Sequence, residues 1–275
     1  MTIDSHVHFW KYDKNRDTWI TNDMKILRQD YLPPTLETTL KRNGMDGCVA
    51  VQADQSELET RFFVELAKTF TVIKGVVGWV DLRADNIASR LEYFSQYPII
   101  KGWRHIVQGE PAGFLSDPAF RRGIEALAPY ECTYDILIYH HQLRDAIDLV
   151  SAFPFQKFVI DHCAKPAIRE KNIETWKKDI TEIAGHHPNV YCKLSGLFTE
   201  ANWKNWSPGE FYPYLDIVFE AFGTDRLMFG SDWPVMLLSG IYVQWKSLIE
   251  KYMESFTDDD KEKVFGLNAT QFYNL

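Results

Sequence analysis

With 275 residues, 45% hydrophobic and 25% charged, the chain has the composition of an ordinary globular protein long enough to bury a large core. A formal net charge of −8, with Lys and Arg dispersed along the chain, argues against nucleic acid as a partner, because phosphate neutralisation needs a basic face. No apolar run reaches the ~18 residues of a membrane span, and no charged N-terminal region leads into an apolar stretch, so neither an anchor nor a secretory signal is expected.

The first strand-like run, TIDSHVHFW from residue 2, carries His6 and His8 at its exit. Strand side chains alternate, so the two imidazoles share a face. A helical pattern, PPTLETTLKRNG from 33, stops at a glycine. GCVAVQA from 47 is followed by the amphipathic SELETRFFVELAKTF from 56. IKGVVGWVDL from 73 precedes DNIASRLEYFSQY from 85, whose first Asp is placed to cap a helix. IIKGWRHIV from 99 brings Arg104 and His105 to its end, and DPAFRRGIEALAPY from 117 again opens on a capping Asp. TYDILIY from 133 carries Asp135 and leads to His140 and His141. No helical pattern is assigned before the sixth run, KFVIDHCA from 157, which ends in Asp161 and His162. NIETWKKDITEIAGHH from 172, VYCKLSGL from 190 with Lys193 and Ser195, and PGEFYPYLDIVFEAFG from 208 continue the alternation. RLMFGSDWPV from 226, with Ser231 and Asp232, and SGIYVQWKSLIEKYM from 239 complete it. The last stretch, DDDKEKVFGLNATQFYNL from 258, reads as an extra capped helix.

Strands alternating with helical patterns imply βαβ units and a parallel sheet, and near-continuous apolar strands imply cover on both faces. Eight such units, in a chain close to the ~250 residues this fold takes, predict an α/β protein, a (β/α)8 TIM barrel spanning 1–275 as one domain. The four cysteines are far apart and form no Cys-x-x-Cys, which predicts reduced thiols and a cytoplasmic location.

Polar groups at the C-terminal ends of barrel strands read as an active site, because those ends carry the functional loops. By that rule His6, His8, Arg104, His105, Asp161, His162, Lys193, Ser195, Ser231 and Asp232 form one cluster. His186 and His187 end a helix, where its dipole accounts for them, and His140 stays open. Trp10, Trp79, Trp103 and Trp233 stand at predicted strand exits, where an indole either meets the apolar face of a sugar ring or fills the barrel mouth. Lys193, Ser195, Asp135, Asp81, Arg83 and Lys165 are candidates for bonding substrate hydroxyls; for the lysines a solvated rim position is the preferred reading.

IDSHVHFW, GWRHIV, DHCAKP, KLSGL and RLMFGSDWPV, in that order, resemble the amidohydrolase superfamily. Within it they are similar to the sugar-lactone hydrolases of the L-fuconolactonase and L-rhamnonolactonase branch, with 2-pyrone-4,6-dicarboxylate lactonase more distant. The similarity runs from residue 2 to the terminal GLNATQFYNL. It implies an amidohydrolase-type barrel with an extra C-terminal helix, in which His6, His8, His162 and Asp232 surround a reacting carbonyl. Many members add a strand-4 lysine and a strand-5 histidine to hold one or two divalent metals. This chain departs from that pattern, with Arg104 and His105 on strand 4, and Asp135, Tyr139 and only a terminal His140 on strand 5. The resemblance implies that no cofactor is obligatory; a divalent metal such as zinc would use His6, His8 and Asp232.

Hydrolysis of a lactone, a cyclic ester, needs a base for water, a polarised carbonyl and a proton for the leaving ring oxygen. Asp232 is the natural base, and His6, His8, His162, His105 and Arg104 are the candidate donors to the oxyanion. Only Arg83 and Arg104 are placed to meet a substrate carboxylate, which favours a neutral sugar lactone over an acidic one. The rival readings are a metal-dependent amidase, deaminase or decarboxylase of the same superfamily, and a binding module, which would gain nothing from a positioned base. A homo-oligomer is compatible with the sequence.

Overall fold

The computed structural model describes all 275 residues. Its eight strands are β1 (Ile3–Val7), β2 (Gly47–Val51), β3 (Ile73–Gly78), β4 (Ile100–Ile106), β5 (Thr133–Leu137), β6 (Phe158–Ile160), β7 (Val190–Leu194) and β8 (Leu227–Phe229), all parallel and paired in sequence order. Helices α1 (Pro33–Arg42), α2 (Glu57–Thr69), α3 (Ile87–Ser95), α4 (Pro118–Glu125), α5 (Leu143–Ala152) and α6 (Glu174–His186) follow β1 to β6 in turn. A single turn, α7 (Leu197–Glu200), and α8 (Tyr212–Phe222) follow β7, and α9 (Tyr242–Tyr252) follows β8. The chain ends in α10 (Asp258–Glu262) and α11 (Asn268–Tyr273), joined by a π-helical turn. This is the (β/α)8 TIM barrel that the alternation predicts, with the extra C-terminal helix. No helix is long and apolar enough to cross a membrane.

Side-chain caps fix three of the helix starts. Ser56 Oγ accepts from Glu59 N–H, Asp117 from Ala119 N–H and Thr257 from Asp260 N–H, each satisfying an orphan amide of a first turn. The cap expected from Asp85 is not used: α3 begins after Asn86 with no side-chain cap. Helix α5, unassigned from the sequence, buries Leu143, Ala146, Ile147, Leu149 and Val150.

The strands are apolar on both faces because each lies between two cores. Outward residues such as Val7, Tyr134, Ile136 and Leu194 pack under the helices. Inward residues Ile3, Val49, Val51, Val77, Val159 and Met228 fill the lower barrel, sealed by Ala269, Phe272 and Tyr273 of α11. Burial of an aromatic side chain of this kind contributes roughly 2–3 kcal/mol.

Two irregularities place the upper barrel. Ile3 and His6 both point inward, which a strict two-residue period forbids; the register against β2 shifts between Asp4 and Val7. Closure of the barrel occurs beyond the end of β8, where Asp232 N–H donates to His6 O at 2.9 Å and His8 N–H to Trp233 O at 2.7 Å. Asp4 Oδ1 reinforces the seam by accepting from Ser231 N–H at 2.9 Å.

Candidate active site

The seam holds Asp232 against the two histidines of β1. Asp232 Oδ1 lies 3.2 Å from His8 Nε2 and 3.9 Å from both His6 Nε2 and His162 Nε2. The three imidazoles and the carboxylate are at most 4% exposed. Asp232 itself has a left-handed backbone, φ 61°.

His162 arrives by an unusual route. Strand β6 stops at Ile160, and His162, Cys163, Ala164 and Lys165 all take left-handed backbone, with φ of 55°, 51°, 57° and 48°. Each such non-glycine residue costs roughly 1–2 kcal/mol. The turn is held by Trp176 Nε1–H donating to Cys163 O at 2.7 Å and by Lys165 N–H donating to His162 O at 2.8 Å. His162 Nδ1 meets Ser195 Oγ at 2.9 Å. Gly196, at φ 64°, lies so close that a Cβ there would stand 2.4 Å from His162 Nδ1.

The proton arrangement follows from what each neighbour can do. Val51 O can only accept, so His8 Nδ1 donates to it at 2.7 Å and Nε2 carries a lone pair. His6 Nε2 is 3.2 Å from that lone pair and 3.3 Å from Arg104 Nη1; its Nδ1 is 3.2 Å from both Asp161 Oδ1 and Lys193 Nζ. Two arrangements of a neutral imidazole are therefore satisfied. Either Nε2–H donates to His8 while Lys193 donates to Nδ1, or Nδ1–H donates to Asp161 while Arg104 donates to Nε2. Burial, outweighing the nearby Asp161 charge, holds the His6 pKa well below the ordinary value. Burial, with His6 and Lys165 beside it, does the same for His162.

The second arrangement leaves two imidazole lone pairs and Asp232 Oδ1 facing one another with edges of 3.2, 3.2 and 3.9 Å. A tetrahedral zinc with nitrogen and oxygen ligands has edges of about 3.3 Å. His6, His8 and Asp232 thus fit a divalent ion by distance and donor type, with Val51 O and Asp161 as the outer partners that metal-binding imidazoles require. The Arg104 charge opposes it.

The structure relocates several residues that the sequence places at the mouth. Arg104 is inside the barrel, but its fork is spent below the imidazoles: Nε donates to Gln52 Oε1 at 2.9 Å, Nη2 to Gln52 O and Nη1 to Asp161 Oδ2 at 2.9 Å. It faces His6, not an open mouth. His105, one residue on, points outward, stacked on Phe114 at 4.6 Å, accepting from Trp79 Nε1–H at Nδ1 and donating from Nε2 to Glu110 at 2.8 Å. Strand parity thus removes it from the donor set. The same parity sends Trp103 outward against Phe94. Trp10 packs on Trp19 and Tyr31 with its N–H on Gln29 O, and Trp233 packs on Tyr31 and Phe9. None of the four indoles makes a hydrogen bond or ring contact with His6, His8 or His162. Lys193 and Asp135 are wholly buried beneath the site and paired at 2.5 Å, which leaves neither for a substrate. Lys165, preferred as a solvated rim residue, is mostly buried and pairs with Glu200 at 3.0 Å. Sequence reasoning missed Gln52 and Tyr273, whose partners lie 52 and 138 residues away.

The amidohydrolase family profile matches residues 3–275. An L-fucono-1,5-lactonase of Burkholderia multivorans is 36% identical over 287 residues, covering 100% of this chain and 96% of that protein. An L-rhamnono-gamma-lactonase of Scheffersomyces stipitis is 26% identical over 204 residues, covering 66% of this chain and 61% of that protein. A crystal structure of a Burkholderia multivorans amidohydrolase with bound zinc superposes with a TM-score of 0.97 at 37% identity, covering 100% of this chain and 99% of that one. A Pseudomonas putida 2-pyrone-4,6-dicarboxylic acid hydrolase, at 18% identity and a TM-score of 0.78, shares the fold over 99% of this chain and 97% of its own. Match and superposition both run the length of the barrel and include every residue of the imidazole ring, and the chain belongs to the amidohydrolase family.

Proposed function

We propose that the protein hydrolyses a sugar lactone, an aldonolactone such as L-fuconolactone or L-rhamnonolactone, to the aldonic acid. The observation that carries this reading is the Asp232 carboxylate held within 3.9 Å of three buried imidazoles. The printed activities of the lactonase relatives support it. Asp232 accepts a proton from water, which attacks the lactone carbonyl. The Nε2–H of His162, whose Nδ1 accepts from Ser195 Oγ, faces the developing oxyanion; a preorganised donor of this kind is worth ~3 kcal/mol in the barrier. Because burial keeps the His162 imidazole neutral, it donates without losing the proton. The acid then returns its proton to the ring oxygen as the ester bond breaks. A neutral substrate suits a site whose one arginine is committed to Asp161 and Gln52.

A zinc ion bound by His6, His8 and Asp232 would polarise the carbonyl and acidify a water. The zinc in the related structure favours testing this as a second reading, a metal-dependent amidase, deaminase or decarboxylase. A pH-indicator assay over a panel of aldonolactones, with and without chelator, separates the two. Acid release from L-fuconolactone or L-rhamnonolactone that survives the chelator is expected. Silence across the panel, with chelator-sensitive turnover of amides, would replace the lactonase reading by the second. Four free cysteines, three of them buried, support action in a reducing compartment such as the cytoplasm.

A further inference from the structure

TIM-barrel interiors are ordinarily packed with branched apolar side chains. Here the layer beneath the imidazoles is polar and is entered from below. Tyr273, two residues before the end of the chain, rises from α11 into the barrel, and its hydroxyl donates to Asp135 Oδ2 at 2.8 Å. The same oxygen receives the Lys193 ammonium at 2.5 Å. Lys193 Nζ then lies 3.0 Å from Asp161 Oδ1 and 3.2 Å from His6 Nδ1. Tyr273, Asp135, Lys193, Asp161 and His6 are all at most 2% exposed, so bulk solvent does not compete for these bonds. We propose that Tyr273 is a positioning residue for the reaction: by holding Asp135 from below it fixes the Lys193 ammonium under His6, and so fixes the orientation of that imidazole.

An ammonium has three N–H bonds, and Lys193 has three polar partners: Asp135, Asp161 and His6. Their sharing depends on how strongly Asp135 pulls. No protein donor reaches Asp135 Oδ1, so Oδ2 carries all the donation the carboxylate receives from the chain. Without the Tyr273 hydroxyl, Lys193 becomes the only donor to a buried carboxylate and is drawn down, away from His6. The tyrosine ring also lies 5.5 Å from Lys193 Nζ, so phenylalanine keeps the packing and the ring face while removing only the hydroxyl. The proposal takes the imidazole ring above as the reacting centre, whatever its substrate.

The experiment compares Tyr273→Phe, Asp135→Asn and the double variant, by turnover and by the ring-nitrogen NMR resonances of His6, assigned from their loss in His6→Gln. With a lactone that the wild type hydrolyses, each single variant is expected to lower kcat about tenfold while leaving KM unchanged. The double variant should be no slower than the slower single, since both changes act on one ammonium. The His6 resonances should shift in Tyr273→Phe. Losses that multiply to about a hundredfold in the double variant would overturn the proposal. So would His6 resonances unmoved by Tyr273→Phe, which is the outcome expected if the hydroxyl only satisfies a buried carboxylate. If no lactone is turned over, or if Asp135→Asn does not fold, the spectra of Tyr273→Phe decide alone, so a wrong substrate and a wrong role for Tyr273 are told apart.

Discussion

Arg104 and His105 are consecutive on β4, yet the first enters a charged lattice inside the barrel and the second an aromatic layer outside it. Inside, Arg104 and Lys193 balance Asp161 and Asp135 out of reach of bulk solvent. Burial raises the Asp161 pKa, but Lys193, His6 and Arg104 together outweigh it and hold the group well below the ordinary carboxylate range. Asp135, with Lys193 as its main compensating charge, is pushed up by burial to about 6. Outside, His105 is stacked on Phe114 and bonded to Trp79 and Glu110, and burial lowers its pKa. The difference teaches that a polar residue near a strand exit belongs to the chemistry only if its side chain is turned into the barrel, by strand parity or, as for His162, by a left-handed turn. Even then it serves the reacting centre directly only if its donors are not already taken.

The comparison breaks most sharply at Asp232. Asp232→Asn should lower turnover about a thousandfold while the melting temperature stays near that of the wild type, since general-base assistance is lost and the shape is kept. Retention of most of the activity would move the base elsewhere. Next, Arg104→Met strands the buried Asp161 charge with a single cation and should lower unfolding free energy by about 3–5 kcal/mol, read by denaturant titration. Arg104→Lys should not restore it, because one ammonium cannot reach Gln52 and Asp161 together as the fork does. His105→Ala, next door but outward, should cost about 1–2 kcal/mol of stability with turnover nearly intact. A collapse of kcat there would return His105 to the site.

A further effect, read only across pH, belongs to Glu59, on α2 outside the barrel. Burial, against two amide donations from Ala53 and Asp54, raises its pKa from 4.5 to about 8. A raised acid contributes stability that is complete below its unfolded value and fades as pH rises through its folded one. Glu59→Gln keeps an oxygen for both amides and does not titrate. The wild type should therefore lose more of its melting temperature than the variant as pH rises from 4.5 to about 8, by a few degrees; parallel curves would show that Glu59 is ionised throughout.

The barrel was legible because apolar strand-like runs alternate with breaks along the chain, and the four residues of the imidazole ring because all four stand at or just past strand exits, although His162 reaches the interior by its left-handed turn and not by strand parity. Helix α5 was not assigned, although LRDAIDLVSA carries its apolar residues at helical spacing. The directions of the tryptophans were not legible: Trp10, Trp79 and Trp233 lie past strand ends and Trp103 within β4, and each indole is turned toward a partner such as Tyr31 or Phe94 that only the folded chain supplies. Lys193 and Asp135 lie within their strands, below the exits, and nothing local distinguishes a charged residue that binds substrate from one that supports the residues above it.

The seam that closes the barrel has a consequence for the life of the chain on the ribosome. His8 and Asp232 meet across 224 positions, and the bonds that join them also complete the ring of strands. A nascent polypeptide whose residue 232 has not yet left the ribosome therefore holds His6 and His8 without that carboxylate beside them and with the ring of strands still open.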